Sequence, residues 1–69
     1  MIKEKTDMRI RKTKRALYHA LEELLQKKSL SQITVTELAA HAEINKGTFY
    51  LHYKDIFELY QDALERHLK

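Results

Sequence analysis

Residues 34–54 read TVTELAAHAEINKGTFYLHYK, and two helix-start signals lie in them one helix and one turn apart. Thr34 followed by Glu37 is a capping box, in which hydroxyl and acid each satisfy a free backbone N–H, and Ile33 ahead of it can staple onto Leu38. Leu38, Ala39 and Ala42 then form a narrow apolar stripe. Ala39 is small, as two helices crossing steeply at a short turn require. Asn45 caps the next helix, with Ile44 and Phe49 positioned as its staple. From Lys46 to Lys54 no acid occurs, and Lys46, Gly47, Thr48, Tyr50, His52 and Lys54 give this helix a cationic, hydrogen-bonding face. A short helix, a tight turn and a second helix with such a face is how a small protein reads double-stranded DNA.

Outward from this stretch, two more helices are expected. The first starts near an Asp7 N-cap and runs to about Lys27, with Ile10, Leu17, Ala20, Leu21, Leu24 and Leu25 on one face. A polar link follows, with Leu30 tucked beneath it. The fourth helix opens at Asp55, with Glu58 three residues on as a second acidic capping box. Ile56, Leu59, Tyr60, Ala63, Leu64 and Leu68 then recur at helical spacing, while Glu58, Gln61, Asp62, Glu65 and Arg66 make the outer face. Phe49, Tyr53, Phe57, Leu38 and Leu59 are assigned to the core.

The chain has 69 residues, no cysteine, no proline and one glycine. That suits one small all-helical domain, residues 1–69, at the size where a single core is only just adequate. Disulfides and cysteine-based zinc sites are excluded. No apolar run approaches a membrane span and no signal-peptide pattern opens the chain, so a soluble cytoplasmic protein with no membrane partner is expected. The net charge is +3, but residues 1–15 hold seven lysines and arginines against two acids, leaving the remainder net negative. A basic N-terminal arm, residues 1–8, on a near-neutral body points to a polyanion.

From Arg9 to Leu64 the sequence closely resembles the N-terminal DNA-binding domain of TetR-family transcriptional regulators. The resemblance rests on a Thr before helix two, Glu37-Leu38-Ala39, Ile44 before Asn45, Lys46-Gly47-Thr48-Phe49-Tyr50, His52-Tyr53-Lys54 and Leu59-Tyr60. It implies an all-α fold, a small homeodomain-like bundle of about four helices containing a helix-turn-helix. It implies too a bacterial operator-binding repressor whose full-length form dimerises on a palindromic operator through a C-terminal ligand-binding domain absent here. Two positions depart from the family. Glu43 stands where glycine is common in the turn; a left-handed non-glycine costs on the order of 1 kcal/mol, so an adjusted turn is expected. Ile56 replaces a common phosphate-gripping lysine, which shifts that load toward Lys54.

The DNA-binding residues are then Thr34, Thr36, Lys46, Gly47, Thr48, Tyr50, Leu51, His52 and Lys54. Lys46, in the first turn of helix three, suits guanine O6 and N7 or a phosphate; the blander reading is a solubilising lysine. Gly47 inside a helix costs about 1 kcal/mol against alanine, which close approach to DNA or close helix packing would each explain. Thr48 reaches phosphate or bonds its own helix. Tyr50 and His52 match the family's phosphate-contacting positions, against a half-buried aromatic and a capping histidine. Leu51 can meet a thymine methyl. Thr34 and Thr36 sit where the helix dipole and free N–H groups favour a phosphate.

No catalytic residues, metal ligands or cofactor are expected. His19, His41, His52 and His67 show no i, i+3 or i, i+4 pairing among themselves, and no nucleophile–base pair or glycine-rich phosphate loop is present. The competing function is a helical protein–protein interaction module, which predicts a large exposed apolar stripe rather than a basic, aromatic-containing helix three. RNA binding ranks last, for want of aromatics stacked on a sheet.

Overall fold

The computed structural model describes residues 2–67, with the backbone alone for residues 2–7. Its elements are α1 Ile2–Leu25, a 3-10 turn Leu30–Gln32, α2 Val35–Ala42, α3 Lys46–His52 and α4 Ile56–Arg66. Among the described residues there is no strand, and the fold is all-α as expected. None of these helices is long and apolar enough to cross a membrane.

The first helix departs from expectation at its start. Asp7 is not an N-cap but lies within α1, which takes in the basic segment from Ile2 onward. Nothing from Ile2 to Leu17 breaks a helix, and the segment is rich in Lys and Arg, both good helix formers. Leu68, expected to extend the stripe of α4, lies outside the described residues.

Each of the four helices sends a side chain into one core. Leu17 and Leu21 from α1, Leu38 from α2, Phe49 from α3 and Leu59 from α4 are fully buried. Tyr53 and Ile33 close it from the connecting segments. Ala39 is buried and α2 packs on α3, as the small side chain at the crossing predicted. Phe57 is a correction, since it is 58% exposed. Ile56 takes the inward position in the first turn of α4, and the next residue points about 100° round the helix. Phe57 therefore lies on the surface, beside a shallow groove shared with Leu30, Ile33 and Val35.

The caps form, but two of the boxes are only half made. The Thr34 hydroxyl accepts the Glu37 N–H at 3.1 Å. The Glu37 carboxylate does not return the bond; it takes the Lys28 ammonium on both oxygens, at 2.9 and 2.7 Å. Asp55 accepts the Glu58 N–H at 2.9 Å, while the Glu58 side chain accepts from the Lys54 N–H, one residue before the cap. Asn45 accepts the Thr48 N–H at 3.0 Å.

The turn between α2 and α3 is not adjusted to its glutamate. Glu43 holds φ 62° and ψ 39°, in the left-handed region. Its N–H reaches the Ala40 carbonyl at 3.1 Å and the Ile44 N–H reaches the Ala39 carbonyl at 2.9 Å. These two bonds are a Schellman motif, which satisfies the last carbonyls of α2 and aims the chain into α3. The turn keeps the geometry glycine would adopt and carries the strain of a Cβ. Glu43→Gly should therefore raise stability by about 1 kcal/mol in urea unfolding, with helix content unchanged. A loss of stability would mean that the Glu43 side chain contributes more than its backbone costs.

Candidate nucleic-acid interface

Helix α3 is two turns long, and its burial divides it cleanly. Phe49 is fully buried, whereas Lys46, Gly47, Tyr50 and Leu51 are exposed and Thr48 and His52 are partly so. At about 100° per residue, Gly47 and Leu51 share the centre of the outward face. Lys46 and Tyr50 flank it on one side, Thr48 and His52 on the other. Leu51 is 81% exposed, the barest of the large apolar side chains described.

Gly47 has no packing reason to be glycine. Its φ is not positive, and a Cβ built there meets only the Asn45 Oδ1, at 3.4 Å, which is ordinary contact. Helix packing, the blander account of this residue, therefore fails. Thr48 turns inward on the cap, its hydroxyl donating to Asn45 Oδ1 at 3.1 Å. Tyr50 is 56% exposed, so it is not a core aromatic; its ring meets Phe49 edge-on with centroids 5.4 Å apart. The His52 ring lies 6.4 Å from that of Tyr53, and Lys54 is exposed just beyond the helix.

Thr34 and Thr36 are exposed at the far end of α2 from the turn. They form a second exposed patch, on a different helix from the face of α3. Ile56, in place of a lysine, is buried in the core and offers nothing to a phosphate.

What holds α3 in place was not foreseen. Asp62, assigned to the outer face of α4, turns inward. It accepts from the Tyr18 hydroxyl of α1 at 2.6 Å and from the Tyr53 hydroxyl at 2.5 Å, and from Arg66 at 2.7 Å. Burial works to raise its carboxyl pKa, but the bonds from Tyr18, Tyr53 and Arg66 together outweigh it and hold the carboxyl below 3.8. Burial first, then the bond to Asp62, pushes both tyrosine hydroxyls above the ordinary range. The Lys14 ammonium lies 5.7 Å from the centre of the Tyr53 ring, within reach of a cation–π contact. Lys14 also lines a cationic groove between α1 and α4 with Arg11, Arg15 and Arg66. The spacing of Arg11, Lys14 and Arg15 along one helix face was the available signal for it.

The histidines are less scattered than their spacing suggested. His41 pairs with Glu23 at 2.6 Å, which joins α2 to α1 and lowers the Glu23 pKa. His19 and His67 converge on Glu22.

A short helix, a left-handed Schellman turn and a capped second helix with a bare, acid-free face define a helix-turn-helix DNA-binding domain. The family model for bacterial regulatory proteins of the tetR family matches residues 17–63, and the chain belongs to that family. It is similar to the HTH-type transcriptional repressor BepR of Brucella suis biovar 1 (strain 1330), 30% identical over 54 residues. That match covers 78% of this chain and 26% of the repressor. The uncharacterized HTH-type transcriptional regulator YxbF of Bacillus subtilis (strain 168) is 37% identical over 46 residues, or 67% of this chain and 12% of that protein. The chain thus spans about a quarter or less of the length of these relatives. No solved structure matches it. Transcriptional regulation is the activity that the names of both relatives state.

The Asp62 cluster has a pH signature. A carboxyl whose folded pKa is depressed contributes stability above its unfolded value, and that contribution is lost as pH falls through the folded value. At neutral pH Asp62→Asn should cost about 2–3 kcal/mol in urea unfolding, as charged acceptors of several bonds do. Below the depressed pKa the gap between wild type and variant should narrow. A gap that stays constant with pH would show that the charge of Asp62 contributes nothing.

Proposed function

We propose that this chain is the operator-reading domain of a ligand-responsive repressor, with α3 in the major groove of double-stranded DNA. One observation carries the reading: Gly47 and Leu51 leave the centre of the α3 face bare, and no packing contact among the described residues requires the glycine. In the first turn of α3 glycine costs up to about 1 kcal/mol against alanine, and close approach of a nucleic-acid backbone or base edge accounts for that loss.

Roles follow from position on the face. Lys46 contacts a guanine edge or a phosphate, and Leu51 meets a thymine methyl. Tyr50, His52 and Lys54 grip phosphates on either side, with Thr48 held back on its cap as a weaker partner. Thr34 and Thr36 offer the N-terminus of α2 to a further phosphate. Phosphate contacts set the register and the groove contacts specify sequence. One two-turn helix supplies few base contacts at about 1–3 kcal/mol each, so specificity calls for a second copy on a palindromic operator. Dimerisation would lie in a domain beyond this chain, as would the ligand. The repressor named among its relatives supports repression as the output.

Gly47→Ala separates this reading from a structural one. The variant should fold with stability unchanged or raised by up to about 1 kcal/mol, yet lose at least tenfold in duplex affinity. Equal affinity for wild type and variant would remove Gly47 from the interface.

Salt provides a second test. With about three to four cationic phosphate contacts per protomer, log K should fall against log salt with a slope near −3. A slope near zero in fluorescence anisotropy titrations would overturn the reading.

A further inference from the structure

We propose that His19, Glu22 and His67 form a binding site for a first-row divalent transition metal, zinc being the reference ion, which clips the end of α4 to α1. The three side chains bring one nitrogen from each ring and a carboxylate oxygen within 4.8 Å of one another. His19 and Glu22 lie three residues apart on one face of α1, and His67 arrives from the turn that ends α4. This inference stands independently of the DNA-binding reading.

The three side chains are gathered without being closed by their own hydrogen bonds. The same Glu22 Oε1 lies 3.9 Å from His19 Nδ1 and 3.6 Å from His67 Nε2. Both are too long for a hydrogen bond. One residue further on, Glu23 closes on His41 at 2.6 Å, a hydrogen-bonded pair that Glu22 does not make. Zinc bound at about 2.0–2.2 Å to nitrogen and oxygen in a tetrahedron separates its ligand atoms by roughly 3.3–3.5 Å. The two oxygen–nitrogen distances exceed that by only a few tenths of an ångström. Small rotations of His19 and Glu22, both well exposed, close the set.

His67 is already oriented. Its ring stacks on Tyr18 at 5.3 Å and 25°, and meets His19 edge-on at 4.9 Å. Tyr18 is itself fixed by its bond to Asp62. The donor set is two imidazoles and one carboxylate, which favours zinc, nickel or copper over magnesium or calcium and leaves a fourth position for water. His67 lies at the end of α4 remote from α3, so a metal here sets how α4 leaves the domain and touches no reading residue.

Isothermal titration of the tag-free protein with zinc chloride tests the proposal, alongside thermal melting with zinc or magnesium. One zinc per chain is expected, with a melting temperature raised by several degrees at saturating zinc and unmoved by magnesium. His67→Ala and Glu22→Gln should each weaken zinc binding at least tenfold, with circular dichroism showing that helix content is kept. His41→Ala, outside the cluster, should bind as wild type does. No zinc binding at millimolar concentration would overturn the proposal, as would affinity unchanged in both cluster variants or lost equally in His41→Ala.

Discussion

The carboxylate of Asp62 is the point on which the arrangement of helices depends. It gathers donors from three places: Tyr18 on α1, Tyr53 at the exit of α3, and Arg66 one turn along α4. A helix of two turns has little stability of its own, because nucleation costs more than so few bonds return. Helix α3 is therefore held at its ends. Asn45 caps the start, and Tyr53, packed on Phe49 and tied to Asp62, fixes the exit. The exposed face of α3 takes its direction from these two anchors and the buried Phe49 between them.

A second set of polar links fastens α2. Lys28 closes on both oxygens of Glu37, and Glu23 bonds His41. Neighbouring residues on α1 thus serve different partners: Glu22 turns toward the end of α4 and Glu23 toward α2. In a chain of 69 residues the core is small, and such links do for relative helix orientation what a larger core would do by packing.

Two local preferences are violated, and both violations fall in the helix-turn-helix. Glu43 holds a left-handed backbone that glycine would adopt without strain, while Gly47 stands in the first turn of α3, where alanine is the better helix former. The first follows from the turn: the Schellman bonds aim α3, and the chain keeps them despite the Cβ. The second has no packing explanation among the described residues. Conflicts between local preference and fold tend to gather at functional sites, which is the reason Gly47 enters the proposed DNA interface.

The helices, their caps and the helix-turn-helix were legible in the sequence because each depends on residues within about four positions of one another. Thr34, Asn45 and Asp55 cap where their spacing placed them, and Phe49 faces inward with Lys46 and Tyr50 outside. The tertiary structure alone decided the rest. Asp62 read as an outer-face acid, since periodicity places a residue on a side of a helix but does not reveal a tyrosine from another helix awaiting it. Phe57 read as core, yet Ile56 holds the inward position. Glu37 read as the second half of a capping box until Lys28 took its carboxylate. His19 and Glu22 meet His67 only because α1 and α4 pack side by side. Local patterns fix which segments are helical and which face is apolar; pairings between groups far apart in the chain exist only once the helices have docked.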